Sequence, residues 1–200
     1  MAFTFNTTLK DSTLIQGERI NLELLLTDQD YKDLINLSKK NYKDDYIKSL
    51  YAEKPDDIDF DHTKFLVSTK YRRNKSYGDE TTRFAKLYYV IKLKCSTHST
   101  CDLATRSGEI IGTFEIYGCN GGVEFGLFID QDHSHQKYGT EALNIMIDFL
   151  KKNSSIEKIK WECDTDNKGS VGVAKNCGFV HQSDSELYKG RMSSCFCLNQ

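Results

Sequence analysis

Between Glu109 and Leu150 the chain alternates, turns, alternates again and then changes to a helical repeat, and this change of period restricts its folds more than any other stretch. Glu109–Tyr117 ends in the strand-like IIGTFEIY, Asn120-Gly121-Gly122 supplies residues that tolerate positive φ, and Val123–Ile129 resumes the strand pattern. An antiparallel hairpin is expected. A polar loop, DQDHSHQKYG, leads to a helix opening at Tyr138 or Gly139, with Leu143, Met146, Ile147 and Leu150 at i, i+3, i+4 and i+7. Glu141 near its start and Lys151 and Lys152 near its end complement the helix dipole.

Upstream, RINLELLL alternates from Arg19 to Leu26 and places Ile20, Leu22, Leu24 and Leu26 on one face of a first strand. Thr27 and Asp30 form a loose capping box before a helix of about ten residues carrying Tyr31, Leu34, Ile35 and Leu37. Residues 41–83 read as a variable helical cap, with helices near Asp44–Tyr51 and Thr63–Arg73 around the acidic KPDDIDFD. Leu87, Tyr89, Ile91 and Leu93 alternate as a strand. A strand from Ile156 to Cys163, a short helix ending before Gly178, and strands near Phe179 and Cys195 complete the order. The reading is one α+β domain over residues 1–200, with a mixed, mainly antiparallel central sheet flanked by helices.

Composition narrows the partners. With 27 Lys and Arg against 29 Asp and Glu, the net charge of −2 is too even to drive binding to nucleic acid or an acidic membrane, so neither is expected. The start, MAFTFNTTLKDSTL, has no basic segment followed by an apolar run, and a cytoplasmic protein is expected, monomeric or homodimeric. Seven irregularly spaced cysteines make no disulfide framework.

Two segments carry chemistry. The loop before the 138–150 helix ends at amides that can hold an anion such as a phosphate, a property it shares with any strand-loop-helix unit. Asp166-Asn167-Lys168-Gly169-Ser170, a polar cluster at a strand end, opens a short helix containing Gly169 and Gly172. A glycine inside a helix costs about 1 kcal/mol relative to alanine. Close approach of a ligand, tight packing, or a start of the helix after Gly169 would each explain these positions.

In their order and spacing, ERINLELLLTDQD, GEIIGTFEIY, VEFGLFID with YGTEAL, and NKGSVGVAKNCGF make residues 19–179 resemble the GNAT superfamily of N-acetyltransferases. The resemblance is to its ribosomal-protein N-terminal acetyltransferase-like branch. It implies an enzyme that moves acetyl from acetyl-CoA directly to a primary amine, a protein N-terminus or a small molecule. It places the pantetheine arm along Leu127, Phe128 and Ile129, and the pyrophosphate on the loop Ser134-His135-Gln136-Lys137-Tyr138-Gly139 and on Thr140. Ser134 stands for the family's Gln or Arg, and Lys137 for its first glycine. The Lys137 ammonium could meet the pyrophosphate as a point charge or project into solvent.

An amine acceptor with a pKa near 10.4 needs a base or a water relay. Glu124, in the strand the resemblance sets beside the thioester, is the candidate base. Ala174 occupies the place of the family's acid tyrosine. Because a thiol leaves with a pKa of about 8.5, Ser170 or a water suffices as acid, with Tyr188 as a second candidate. Asn167 is read as a hydrogen-bond donor to the pantetheine or acetyl carbonyl.

Other functions rest on less. A GNAT-fold module that binds CoA or a protein without efficient transfer would account for Ser134, Lys137 and Ala174. Cys95, His98 and Cys101 form C-x-x-H-x-x-C, suited to zinc or a thiol sensor but lacking a fourth ligand, and no metal site is expected. His133 and His135 read as solvent-facing, Cys195 and Cys197 as sharing one strand face, and Cys177 as packed. The run Lys70, Arg72, Arg73, Lys75 reads as a solvated helix face.

Overall fold

The computed structural model describes residues 13–43, 63, 86–94, 108–119, 122–154, 156–188 and 191–199. Its sheet has eight strands: β1 (Leu14–Gln16), β2 (Ile20–Leu24), β3 (Lys86–Leu93), β4 (Ile110–Cys119), β5 (Gly122–Ile129), β6 (Lys158–Asp164), β7 (Val180–Tyr188) and β8 (Arg191–Asn199). They lie in the order β1-β2-β3-β4-β5-β6-β8-β7, with every neighbouring pair antiparallel except β5 and β6. Among the described residues the helices between strands are α1 (Asp28–Lys40), α2 (Tyr138–Asn153) and α3 (Lys168–Asn176). The mixed, mainly antiparallel sheet agrees with the sequence reading. The cap and the C-x-x-H-x-x-C loop fall almost wholly outside the described residues.

The two faces of the sheet are covered by different helices. Leu22, Tyr89, Phe114, Phe125, Ile159, Trp161 and Phe196 meet Leu143, Met146 and Leu150 of α2 and Ala174 of α3 in one buried cluster. On the other face Tyr88, Val90, Ile110 and Phe128 meet Tyr31, Leu34 and Leu37 of α1. The alternation of β3 therefore shows only half of its burial, because a central strand with helices above and below hides both faces.

The expected hairpin is present, with β4 and β5 in register from Gly112–Ile129 to Cys119–Gly122. Three readings change. The three-residue β1, too short to show a period, precedes the strand taken as first and pairs with it. That strand ends at Leu24, so the alternation breaks: Leu25 is buried beside α1 and Leu26 is 61% exposed. The capping box is complete, with Asp30 in the usual Glu place: Thr27 Oγ1 accepts from the Asp30 amide at 3.1 Å, and Asp30 Oδ2 accepts from the Thr27 amide at 3.1 Å. The helix it opens runs for 13 residues.

Candidate functional site

β5 keeps β4 beside it throughout, but its other edge does not keep β6. The parallel ladder holds only Val123–Ile159, Glu124–Lys160 and Phe125–Trp161, although β5 continues to Ile129 and β6 to Asp164. The strands diverge beyond Phe125. The gap between Gly126–Ile129 and Glu162–Asp164 opens toward the carboxyl ends of the one parallel pair, where open sheets receive ligands. An extended arm can lie there against strand backbone as an added strand would.

From Ile129 the chain runs into the start of α2 through Asp130, a short 3₁₀ turn at Gln131–His133, and Lys137, the N-cap. His135 and Lys137 sit in the left-handed region, at φ 60° and 65°, which costs a residue with a Cβ about 1 kcal/mol. Lys137 supplies no side-chain cap. The first helical bond runs from the Glu141 amide to the Lys137 carbonyl at 3.0 Å, so the amides of Tyr138, Gly139 and Thr140 precede the ladder at the positive end of the helix dipole. Such an end holds an anion.

Gly139 has a geometric reason. A Cβ there would stand 3.3 Å from Leu127 Cδ2, 3.4 Å from Val173 Cγ2 and 3.7 Å from Ile129 Cγ1. Its absence lets the start of α2 settle against the end of β5 and against α3. Leu127, Ile129 and residues 137–140 are thereby gathered at the mouth of the gap. Phe128 contributes backbone there, while its side chain is buried among the α1 residues. Gln136 is exposed; its side chain donates to the Asp132 carbonyl at 3.3 Å.

The entrance to this loop is tied to α1. Asp130, 1% exposed, accepts from Lys40 Nζ at 2.6 Å and Asn41 Nδ2 at 2.9 Å, and lies 3.2 Å from His133 Nδ1. Burial alone would raise its pKa, but the bonds from Lys40, Asn41 and His133 outweigh that and hold it below the usual carboxylate range. His133 is therefore turned inward, whereas His135 is exposed as expected.

On β6 and α3, Asn167 caps the helix by accepting from the Ser170 amide at 3.0 Å, and Ser170 Oγ accepts from the Trp161 indole at 3.0 Å. Ser170 is thus held at the last rung of the parallel ladder. Gly169 lies inside α3, and a Cβ would meet only Asn167 Oδ1 at 3.6 Å; at Gly172 nothing stands within 4 Å. Tight packing does not explain either glycine. Ala174 is fully buried, which leaves no room for a tyrosine.

Glu124 is half-buried on the α1 face, in register with Tyr117 and Lys160. Glu115 and Glu162 lie on that face too, and Tyr117 donates its hydroxyl hydrogen bond to Glu115. Lys158, Lys160 and Asp164 of β6 and Lys86, paired with Tyr117, belong to this face as well, so carboxylates and lysines are interleaved there. Ser170 belongs with Trp161 on the opposite face, so the sheet separates the candidate base from the candidate acid, with the β5–β6 gap beside both. Tyr188 ends the outer strand β7, opposite Arg191.

Sequence reasoning passed over Arg19, whose amide and Nε donate to Glu141 at 2.8 and 2.7 Å. In the sequence Glu141 stands out only as a first-turn carboxylate that suits the helix dipole. Neither residue interrupts a period, so the sequence carries no signal that they meet. Among the described residues no helix is long and apolar enough to cross a membrane, and no group of three or more metal-binding side chains occurs.

A family model described as acetyltransferase (GNAT) domain matches residues 19–180. No curated protein matches the chain. Among solved structures, the chain is similar to RimL, a ribosomal L7/L12 alpha-N-protein acetyltransferase in complex with coenzyme A (TM-score 0.67, 13% identity, 93% of this chain and 97% of that one). It is similar to the microcin C7 self-immunity acetyltransferase MccE in complex with acetyl-CoA and AMP (0.65, 17%, 92% and 93%). A third likeness is to the Salmonella typhimurium acetyl transferase that modifies the N-terminal serine of ribosomal protein L7/L12 (0.66, 14%, 94% and 99%). At these identities the likenesses show the fold.

Proposed function

We propose that this chain, which belongs to the GNAT family of acetyltransferases over residues 19–180, moves an acetyl group from acetyl-CoA directly to a primary amine. The observation that carries the proposal is the parallel ladder that stops after three pairs, with the free-running end of β5 feeding the start of α2. Strand backbone for an amide-bearing arm and helix amides for a diphosphate then follow one another along a single path. The residues present fit that co-substrate, which supplies an activated acyl carbon.

In this reading Leu127 and Ile129 wall the gap, and the amides of Tyr138, Gly139 and Thr140 with the Lys137 ammonium hold the pyrophosphate. Asn167, its oxygen occupied by the Ser170 amide, has its side-chain NH₂ to offer a carbonyl. Glu124 takes a proton from the acceptor ammonium, directly or through water. The amine forms the new bond to the acyl carbon, the carbon–sulfur bond breaks, and the second proton that the nitrogen sheds passes through Ser170 or a water to the departing thiolate. A protein N-terminus is the favoured acceptor, in keeping with the relatives that modify ribosomal protein L7/L12. Cys163, Cys177, Cys195 and Cys197 are free thiols, which suits a reducing cytoplasm.

The test is titration calorimetry with acetyl-CoA, followed by release of CoA in the presence of peptides and polyamines. Glu124→Gln should slow turnover tenfold or more while leaving cofactor affinity intact. No binding at millimolar acetyl-CoA would refute the proposal. Binding without release for any acceptor would favour a CoA-binding module, which the strained, uncapped Lys137 and the missing tyrosine acid would also suit.

A further inference from the structure

Arg19 stands in the turn between β1 and β2, yet its contacts reach across 117–122 residues to the junction where the loop becomes α2. Its amide donates to Glu141 Oε1 at 2.8 Å and its Nε to Glu141 Oε2 at 2.7 Å. Its Nη1 donates to the Gln136 carbonyl at 3.2 Å, and its guanidinium carbon lies 4.5 Å above the centre of the Tyr138 ring. The Arg19 carbonyl in turn accepts from the Lys94 amide at 2.9 Å, fixing the turn to the chain leaving β3. One side chain thus grips residues 136, 138 and 141, on both sides of the left-handed Lys137.

Two physical needs meet here. The N-cap has no side-chain bond, so the direction of the first-turn amides is set from outside the helix. Glu141 also places a carboxylate in the first turn, favourable for the helix dipole but repulsive to an anion arriving at the same amides. With the guanidinium on one carboxylate oxygen and the Arg19 amide on the other, that charge is cancelled locally. With its side chain 45% exposed, Arg19 owes little stability to the ion pair, whereas its geometry governs how the amides point.

We infer that Arg19 is a positioning residue for the diphosphate of the acetyl donor: it aims the Tyr138–Thr140 amides and neutralises Glu141 for an incoming anion. The inference rests on the acetyl-CoA reading above. It implies selectivity between donors that carry a diphosphate and donors that do not, which general loosening of the fold would not produce.

The experiment compares wild type, Arg19→Gln and Arg19→Lys by calorimetry with CoA, and by initial rates with acetyl-CoA and S-acetylpantetheine, which lacks the diphosphate. Arg19→Gln should weaken CoA binding and raise the acetyl-CoA KM about tenfold, with kcat within about twofold and the S-acetylpantetheine KM unchanged. Arg19→Lys keeps the charge but loses the planar fork, and should fall between; it serves the same test if Arg19→Gln does not fold. Equal losses with both donors, or a fall in kcat at constant KM, would overturn the inference. A wild type that binds CoA but transfers to no acceptor defeats only the transfer reading, and the CoA titrations still decide Arg19. Absence of CoA binding in wild type overturns both.

Discussion

Lys40, the last residue of α1, places its Nζ 2.6 Å from Oδ2 of Asp130, the residue at which the chain leaves β5. Asn41 adds a second tie: its Nδ2 donates to Asp130 Oδ1 at 2.9 Å and its Oδ1 accepts from the Gln131 amide at 3.2 Å. The last turn of α1 therefore holds the start of the loop that leads to the candidate anion-binding amides.

Removing the Asp130 carboxylate leaves the buried Asn41 amide group short of a partner, while the half-exposed Lys40 regains water. Asp130→Ala should cost about 2–3 kcal/mol in urea unfolding. The pH dependence has a definite sign. Asp130 and Asp30 both have folded pKa values below their ordinary ones, so their contribution is complete above the unfolded value and lost as pH falls through the folded one. Stability should drop below about pH 4, and Asp130→Asn should flatten that limb while Asp30 retains the remainder. An unchanged acid slope in Asp130→Asn would exclude this assignment.

Lys137 at φ 65° carries a Cβ where the resemblance puts a glycine. Lys137→Gly should relieve the left-handed strain and raise stability by about 0.5–1 kcal/mol, net of the added freedom of the unfolded chain. Cofactor binding should move oppositely, because the ammonium is lost. The salt dependence of CoA affinity, measured between low and physiological ionic strength, should shrink in the variant. A salt dependence identical to wild type would show that the ammonium points to solvent.

Where the period of the sequence coincided with burial, the fold was readable: the β4–β5 hairpin, Leu143 to Leu150 of α2, and the alternation of Tyr89 and Ile91. Lys92 shows where this ends. It continues the second buried face of β3, and its Nζ reaches Asp30 at 2.8 Å and Glu23 at 3.0 Å. Burial would depress its pKa, but those bonds outweigh it and hold the ammonium above its usual range. A lysine in a strand reads as solvent-facing unless its distant partners are known. For the same reason the loop 134–140 is legible as a candidate anion site, whereas Arg19 and Asp130, which fix its geometry through contacts about 90 to 120 residues apart, are not.

Thiol reactivity should be low at the site's edge. Burial pushes the Cys177 thiol up to about 11, with its Sγ 3.6 Å from the Thr140 carbonyl, and burial also raises Cys163, beside Ser170 and Trp161. The thiolate is the nucleophile, so iodoacetamide should label both slowly at pH 7.5, with a Cys177 rate that still climbs past pH 9. Peptide mapping by mass spectrometry gives the rates. Rapid labelling of Cys177 at neutral pH would mean that the α2–α3 contact opens readily.

Gly139 and Gly172 should respond to alanine with opposite signs. At Gly139 the new methyl meets Leu127 and Val173 at 3.3 and 3.4 Å, so neighbours must shift and the overpacking outweighs the gain in helix propensity. Gly139→Ala should lose about 1 kcal/mol. At Gly172 the methyl meets nothing within 4 Å, so only the propensity gain of about 1 kcal/mol remains and Gly172→Ala should unfold at higher urea. If the open side of α3 faces the bound donor, Gly172→Ala should weaken CoA binding severalfold even as it stabilises the fold, two effects that calorimetry and urea titration report separately. Stabilisation with unchanged CoA affinity would show that the space beside Gly172 is not part of the donor's path.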